Sequence, residues 1–326
     1  MDLKHLIIHE AARIDQVMRE DIDRLADDLD PLLIEILKYG LFSGGKRIRP
    51  LLTILSARFF GDSNTELYHL ASALEYLHTA TLFHDDVIDS GDERRGEATV
   101  YKRFGLSEAV LAGDFLHAHS MAMVGQYGGE AALSVFCQAT RGMVDGEFSQ
   151  LRNARNLNQS EVDYFSVVMG KTALLIGAAC ELGAMFAGAD ERGRAGLRTY
   201  GINLGCAFQI VDDLLDYLGD TRKTGKAVGN DLMEAKMTLP LIYALQRADE
   251  ADRSKLLEIL SDDRARRECF QQVSGLIDKY HGFEDAGKKA KQVIGEAIAA
   301  LPESVGDHSV QRPFLALCDY VLNREK

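Results

Sequence analysis

Two copies of a short acidic pattern occur in this 326-residue chain, each with two adjacent aspartates and a third four residues after the first. In an α-helix, the first and last aspartate of a copy share one face about one turn apart, a spacing at which carboxylates can bind one hard cation. Crowded carboxylates repel each other, so the pattern predicts Mg²⁺ between two acidic walls, with a phosphate-like anion completing its coordination. The predicted metal ligands are Asp85, Asp86 and Asp89 in the first copy and Asp212, Asp213 and Asp216 in the second.

The acidic pattern is more specific than an ordinary pair of aspartates. Asp27-Asp28 and Asp262-Asp263 are also adjacent pairs, but neither has the third carboxylate. The residues around the two complete copies are mostly apolar, which predicts largely buried helices. Because a buried carboxylate is costly without a partner, solvated helix faces explain the two copies poorly.

Basic groups accompany the first copy. The segment Gly44-Gly45-Lys46-Arg47-Ile48-Arg49-Pro50 precedes an apolar run and predicts an anion-binding helix start, with Pro50 suited to the N1 position. Arg94 and Arg95 follow the first copy directly, and guanidinium groups bind phosphate oxygens bidentately. Carboxylates for a metal beside arginines for a phosphate predict a diphosphate site.

The second copy has similar neighbours. Gln209 precedes it, and the glycine-containing stretch 221–237 predicts a loop that closes over bound phosphates. Gly170-Lys171-Thr172 places a cation inside an apolar helix. An unpaired buried lysine is costly, so an anionic ligand is its expected partner. The lysines of the loop stretch are Lys223, Lys226 and Lys236.

Composition and charge limit the partners and the location that are expected for this protein. The formal net charge of −13 argues against a nucleic-acid partner. Five scattered cysteines without a CxxC pair predict reduced core residues in a cytoplasmic protein. No apolar run approaches the roughly 20 residues that span a bilayer, so membrane contact is expected to be transient and limited to product release.

The positions of apolar residues predict an all-α protein. Only five prolines interrupt the chain, and apolar residues recur at spacings of three and four. No linker divides the chain, so one large helical bundle spanning residues 1–326 is expected, with a core able to hold a long apolar ligand. The predicted helices cover Leu67 to Ile88, Ala109 to Val124, Ala131 to Leu151, Thr172 to Ala187 and Leu197 to Leu218.

Taken in their order along the chain, the acidic and basic motifs resemble those of the trans-polyprenyl diphosphate synthases. The resemblance runs from about Lys38 to Leu245. It implies the isoprenoid synthase fold, an all-helical bundle around a deep central cavity with the two aspartate motifs facing each other across its mouth, and a homodimer. It is carried by the strings GGKRIRP, HTATLFHDDVIDSGDERRG, GDFL, GKT and QIVDDLLDYLGDTRKTGKAVGNDLMEAKMTLP.

The resemblance also implies a role for each matching residue. The six aspartates would hold three Mg²⁺ ions against an allylic diphosphate, which ionises to a carbocation that isopentenyl diphosphate then attacks. Thr172 and Gln209 would lie near the reacting carbon. The allylic diphosphate would be bound by Arg94, Lys171, Lys226 and Lys236, and that of isopentenyl diphosphate by Lys46, Arg49, His78 and Arg95.

Small residues before the first motif indicate a long product. Side chains upstream of Asp85 can measure product length, because a helix rises about 5.4 Å per turn, roughly one isoprene unit. In the family that the chain resembles, bulky aromatic residues at the positions of Ala80 and Thr81 block elongation early. The expected product is therefore hexaprenyl to decaprenyl, with octaprenyl favoured. The candidate for the tunnel floor is Phe136, with Met123 and Met143 as alternatives.

Four other interpretations remain open. A short-chain farnesyl or geranylgeranyl diphosphate synthase shares the motifs. His84-Asp85 is compatible with an HD-type phosphohydrolase, although such sites need further histidines and only His78 is nearby. A class I terpene cyclase shares the first motif but replaces the second. A non-catalytic subunit of a heteromeric synthase would lack the aspartates that are complete here.

Overall fold

The structure, a computed structural model, describes residues 2–62, 64–219, 228–303 and 308–324. Its described residues are almost entirely helical, which confirms the all-α prediction. The helices before residue 187 are α1 (Leu3–Leu25), α2 (Pro31–Leu41), α3 (Ile48–Phe59), α4 (Leu67–Ile88), α5 (Val100–Phe104), α6 (Leu106–Arg155), α7 (Glu161–Val168) and α8 (Leu174–Phe186). The later helices are α9 (Glu191–Leu218), α10 (Asn230–Met233), α11 (Leu239–Arg247), α12 (Glu250–Ser261), α13 (Asp263–Glu268), α14 (Phe270–Lys279), α15 (Gly282–Ala300) and α16 (Arg312–Leu322).

Three shorter elements complete the description. Strands β1 (Glu93–Arg94) and β2 (Glu97–Ala98) form an antiparallel hairpin. A π-helical turn, Met169–Ala173, joins α7 to α8, and a 3₁₀ turn, His308–Gln311, precedes α16. Such π-helical turns are rare and frequently occur at functional sites, and this one contains the Gly-Lys-Thr motif.

The chain divides into two compact units. The first comprises Met1–Gln138, Ala178–Ala195 and Ser304–Val310, and the second Ala139–Gly177, Gly196–Glu303 and Gln311–Lys326. The expectation of a single domain and of a central cavity stays a prediction.

In the first unit, α4 packs against α1, α2, α3 and α5. Most of its residues are buried, so α4 has almost no polar face. A helix that is apolar nearly all round belongs in a core. In the second unit, α11 packs on α14 and α15, which also contact each other. The first acidic motif therefore stands on a helix packed by its own unit.

Helix boundaries largely follow the sequence prediction. The helix predicted for Leu67 to Ile88 has those bounds. The two segments predicted within α6 are separated by Gly129, whose φ of 76° and ψ of −176° interrupt the helix. The N1 position predicted for Pro50 was wrong, because α3 begins at Ile48. Pro50 is the third residue of that helix, where its missing N–H still breaks no intrahelical bond.

One stretch, Glu161–Phe186, has the length and a mean hydropathy of 1.5 typical of a membrane-crossing helix, which the sequence analysis did not identify. However, 67% of the most apolar part of this stretch is buried inside the protein, as in the core helices of soluble proteins. This stretch is weak evidence for a membrane span, and the cytoplasmic location stays a prediction.

Candidate active site

The first aspartate motif lies at the C-terminal end of α4. Asp86 is buried, and its Oδ1 accepts hydrogen bonds from Arg94 Nε at 3.1 Å and Nη2 at 2.8 Å. Asp85 is half-buried and Asp89 is exposed. The middle aspartate is thus engaged by the protein, whereas the outer two lie nearer the surface.

The arginines that follow this motif are placed by the β1–β2 hairpin, which the sequence analysis missed. Its two central residues, Arg95 and Gly96, have φ values of 57° and 81°, as a tight two-residue hairpin turn requires. Arg94 points to Asp86, while Arg95 Nη1 donates a hydrogen bond to the carbonyl of Gly44. The hairpin therefore brings Arg95 to the basic Gly-Gly-Lys-Arg segment.

Arg47 has a structural environment within that segment. It is 4% exposed and has a left-handed φ of 49°. Its guanidinium donates to Asp15 at 2.8 Å, to Glu75 at 2.7 Å and to the carbonyl of Leu41 at 2.6 Å. Burial opposes its charge, but Glu75 and Asp15 raise its pKa. Arg47 is therefore held by protein groups and anchors the segment.

Arg49 and Arg95 are compensated less than Arg47. Burial lowers the pKa of Arg49 and Glu75 offsets this only in part, and its buried Nε has no hydrogen-bond acceptor among the described residues. Loss of solvation and then Arg47 lower the pKa of the more exposed Arg95, again with a partial offset from Glu75. The pKa of His78 lies well below 6.5 because of burial and the charges of Arg49, Arg94, Arg95 and Arg47. Positive charges that are only partly compensated favour an anionic ligand, so this cluster has the electrostatics of an anion site.

The second aspartate motif lies near the C-terminal end of α9. Asp213 is 4% exposed, and its carboxylate accepts hydrogen bonds from Tyr164 Oη at 2.7 Å and from Gln209 Nε2 at 2.9 Å. Gln209 Oε1 in turn accepts from Thr172 Oγ1 at 3.2 Å. Burial and then Asp231 raise the pKa of Asp213, while its two hydrogen bonds act in the opposite direction.

The outer aspartates of this motif also have partners. Asp212 lies 3.2 Å from Arg324 Nη2. Asp216 accepts backbone N–H bonds from Asn230 at 3.2 Å and from Asp231 at 3.0 Å, which caps α10. Burial and then Asp231 raise the pKa of Asp216 to about 6. The structure thus adds Asp231 to the acidic group around the second motif.

The anionic ligand expected at Lys171 stays a prediction, although this lysine is neither isolated nor fully buried in the protein. Its side chain is 31% exposed, and Nζ pairs with Glu147 Oε1 at 2.7 Å. The surrounding glycines are needed for close packing, since a Cβ at Gly146 would lie 2.7 Å from the backbone nitrogen of Lys171. A Cβ at Gly170 would lie 2.7 Å from the carbonyl of Gly142.

The other predicted phosphate-binding lysines differ in their surroundings. Lys236 Nζ pairs with Asp231 Oδ1 at 3.1 Å and with Glu234 Oε2 at 2.6 Å, and these carboxylates raise its pKa against the effect of burial. Lys223 and Lys226 lie outside the described residues. Lys46 is exposed on the basic segment.

The residues of the two motifs fit a divalent cation. Their donors are carboxylate oxygens, the ligands that Mg²⁺ and Ca²⁺ prefer. Within ranges 2–62, 64–219, 228–303 and 308–324, no three acidic, histidine or cysteine side chains are already grouped closely enough to hold a metal. The raised pKa of Asp216 shows how poorly its charge is compensated, and a bound cation would favour ionisation there.

The predicted length-determining residues are in the core except for Thr81, which is partly exposed. Ala80 is 1% exposed and Phe136 is fully buried. Thr81 Oγ1 donates to the carbonyl of His78 at 2.8 Å, so its hydroxyl is satisfied within α4. Met123 and Met143, the alternatives for the floor, are buried as well. Their roles in product length stay predictions.

The sequence analysis missed two partners in the site, and only one of them carried a signal in the sequence. Glu75 is a lone carboxylate within an otherwise apolar run of α4, which indicates a buried ion pair. Tyr164 carried no signal, because it lies 49 residues from Asp213 and tyrosines are common in helices. The phosphohydrolase alternative gains no support, since His84 Nε2 contacts the carbonyl of Val110 at 3.2 Å.

Comparison with known proteins identifies one enzyme family. The polyprenyl synthetase family model matches residues 30–277, and the chain belongs to that family. It is therefore a prenyltransferase, as predicted.

Individual relatives are similar over most of their length. The octaprenyl diphosphate synthase of Haemophilus influenzae is 38% identical over 277 residues, 84% of each chain. The decaprenyl diphosphate synthase structure from Rhodobacter capsulatus has a TM-score of 0.89 and 35% identity, covering 99% of this chain and 98% of that one. A Caulobacter crescentus polyprenyl synthase, complexed with calcium and isoprenyl diphosphate, has a TM-score of 0.90 at 33% identity, covering 100% and 98%.

Proposed function

We propose that this enzyme is an all-trans-polyprenyl diphosphate synthase that condenses isopentenyl diphosphate with an allylic diphosphate to a hexaprenyl to decaprenyl product, with octaprenyl favoured. The observation that carries the proposal is the basic cluster of the first unit. Arg49 is partly buried and Arg95 is exposed, and loss of solvation lowers the pKa of each; Glu75 offsets this only in part, and no carboxylate forms an ion pair with either arginine among the described residues. A diphosphate supplies the missing negative charge.

Isopentenyl diphosphate is assigned to this cluster. Lys46, Arg49, His78 and Arg95 bind its diphosphate, and the ion pairs of Arg47 hold the backbone of the segment in place. The allylic diphosphate is bound by Arg94, Lys171, Lys226 and Lys236. The outer aspartates lie nearer the surface than Asp86, with Asp85 half-buried and Asp89 exposed, which supports their assignment as ligands of Mg²⁺. The six-aspartate pattern suits three such ions.

The residues support ionisation of the allylic substrate. Bound Mg²⁺ would neutralise the departing diphosphate. Lys171 and Lys236 add positive charge to the same group, and Thr172 and Gln209 direct oxygen dipoles towards the carbocation. The apolar walls of α4 exclude water, which would quench the cation. After isopentenyl diphosphate has attacked, the released diphosphate accepts the proton.

The enzyme is further proposed to be a cytoplasmic homodimer. Apolar side chains at helical spacing, Val144, Phe148 and Leu151, are 55%, 67% and 44% exposed on α6. An exposed apolar row of this kind supports an association surface.

An elongation assay tests the proposed function. Purified protein is incubated with radiolabelled isopentenyl diphosphate, farnesyl diphosphate and Mg²⁺, and the dephosphorylated products are resolved by reversed-phase thin-layer chromatography. Products of the hexaprenyl to decaprenyl class are expected, and they should disappear with EDTA. Products no longer than geranylgeranyl would establish the short-chain alternative. A complete lack of elongation would overturn the proposal.

The basic cluster also predicts a titration shift at His78. In the free protein its imidazole should be neutral at pH 7, because burial and four arginines hold its pKa well below 6.5. A diphosphate bound among those arginines favours the imidazolium and should raise this pKa. Histidine-labelled protein would be titrated by NMR with and without isopentenyl diphosphate, with His78→Gln identifying the resonance. His119, which pairs with Asp21 at 2.8 Å, is the internal control. An unchanged His78 pKa at saturating ligand would contradict the assignment.

A further inference from the structure

The middle aspartate of the second motif is enclosed by protein donors. Asp213 is 4% exposed, and one of its carboxylate oxygens accepts from Tyr164 on α7 while the other accepts from Gln209 one turn earlier on α9. The middle aspartate of the first motif is also buried, and Arg94 holds it. In both motifs the middle carboxylate is thus the buried one, and protein donors hold it.

The hydrogen bonds of Asp213 have a defined direction. Gln209 presents its amide N–H to Asp213, which in its ionised form can only accept. Its carbonyl oxygen is then left to accept the hydroxyl hydrogen of Thr172 at 3.2 Å. That bond uses the single hydrogen of the Thr172 hydroxyl, so the oxygen lone pairs remain for another neighbour.

We propose that Tyr164 and Asp213 are positioning residues that fix the direction of this hydrogen-bond chain, and that Asp213 is not a metal ligand. The chain runs from Thr172 to Gln209 to Asp213, with Tyr164 donating from the other side. It orients the Thr172 oxygen with its lone pairs available to the developing positive charge. The inference rests on the proposed function, in which Thr172 lies beside the allylic carbon. The outer aspartates, Asp212 and Asp216, remain the ligands of this motif.

Asp213→Asn tests the direction of the chain with little change in volume. An asparagine presents an N–H to either Tyr164 or Gln209, so the amide of Gln209 is no longer held in one orientation. We expect kcat to fall at least about tenfold, with each KM within about threefold, because positioning in the transition state is lost and substrate binding is retained. Tyr164→Phe should lower kcat in the same way, and the double variant should be no worse than Asp213→Asn alone.

Metal binding provides a readout independent of turnover. Mn²⁺ binding is counted by electron paramagnetic resonance in the presence of inorganic pyrophosphate. The Asp213→Asn variant should bind as many Mn²⁺ ions per chain as the wild type, whereas Asp212→Asn should bind fewer. The loss of one Mn²⁺ from Asp213→Asn would show that this carboxylate is a ligand and would overturn the inference, as would an unchanged kcat in Tyr164→Phe.

A matched control separates positioning from stability. Tyr200 is also buried in the second unit, and its hydroxyl donates to the carbonyl of Phe314 at 2.8 Å. Tyr200→Phe removes a comparable hydrogen bond and should lower Tm without changing kcat. Equal losses of kcat in Tyr200→Phe and Tyr164→Phe would overturn the positioning role. Wild-type elongation is assayed in parallel: its absence would refute the proposed function, while the Mn²⁺ count would still decide whether Asp213 is a ligand.

Discussion

Asp85→Asn is expected to lower kcat by at least about a thousandfold while the protein remains folded. The substitution keeps the size of the side chain and removes a negative charge from the first motif. A neutral amide is a weaker ligand for Mg²⁺ than a carboxylate, so the leaving diphosphate would lose much of its neutralisation. Asp85 is half-buried at the end of α4, where loss of the charge should affect stability little.

Steady-state kinetics with radiolabelled isopentenyl diphosphate measure this effect, and thermal unfolding measures the fold. The matched control is Asp28→Asn, an exposed member of another adjacent aspartate pair, which should keep wild-type activity. Asp86→Asn makes an informative contrast, because it breaks the ion pair with Arg94 and should also lower Tm. If Asp85→Asn kept more than a tenth of wild-type kcat, a ligand role for this carboxylate would be untenable.

Ala80→Phe should shorten the products from the octaprenyl range to geranylgeranyl or below. Ala80 is 1% exposed on α4, so a phenyl ring either enters a product tunnel or overpacks the core. Overpacking costs about 1–3 kcal/mol of stability, whereas a ring in a tunnel need not. Chain-length analysis and thermal unfolding together therefore distinguish the two possibilities.

Two further alanines of α4 sharpen the test. Ala73 is fully buried about two turns before Ala80 and on nearly the same face, so Ala73→Phe should stop elongation about two isoprene units later. Ala71, also fully buried, lies on the opposite face of an ideal helix, so Ala71→Phe should lower Tm and leave product length unchanged. Unaltered products from Ala80→Phe, with a loss of stability like that of Ala71→Phe, would place Ala80 in the solid core.

Patterns local in sequence identified the helices and the reactive residues. The apolar spacing from Leu67 to Ile88 predicted α4 with its observed bounds, because helix periodicity depends on neighbouring residues. The positions of both aspartate motifs on helices followed from the same kind of local pattern. So did the basic segment 44–50, although α3 begins two residues before Pro50.

The partners of those residues could not be found in this way. Arg47 and Arg49 look equivalent in the sequence, yet among the described residues only Arg47 forms ion pairs. Its partners are Asp15 and Glu75, which lie 32 and 28 residues away. Lys171 forms an ion pair with Glu147, at a point where Gly146 and Gly170 let the two backbone segments pack closely. Contacts between distant segments depend on packing, which no local spacing encodes.

The sequence was sufficient to establish the all-helical class, the family and the carboxylates and cations that suit a metal–diphosphate reaction, because these depend on residue type, order and local spacing. It treated the three aspartates of each motif as equivalent. Packing distinguished them: Asp86 and Asp213 are buried against Arg94 and Tyr164, while the outer aspartates lie nearer the surface. The physical reason is that burial and hydrogen-bond partners arise only when separate helices meet, so the different roles of identical side chains appear only in the folded protein.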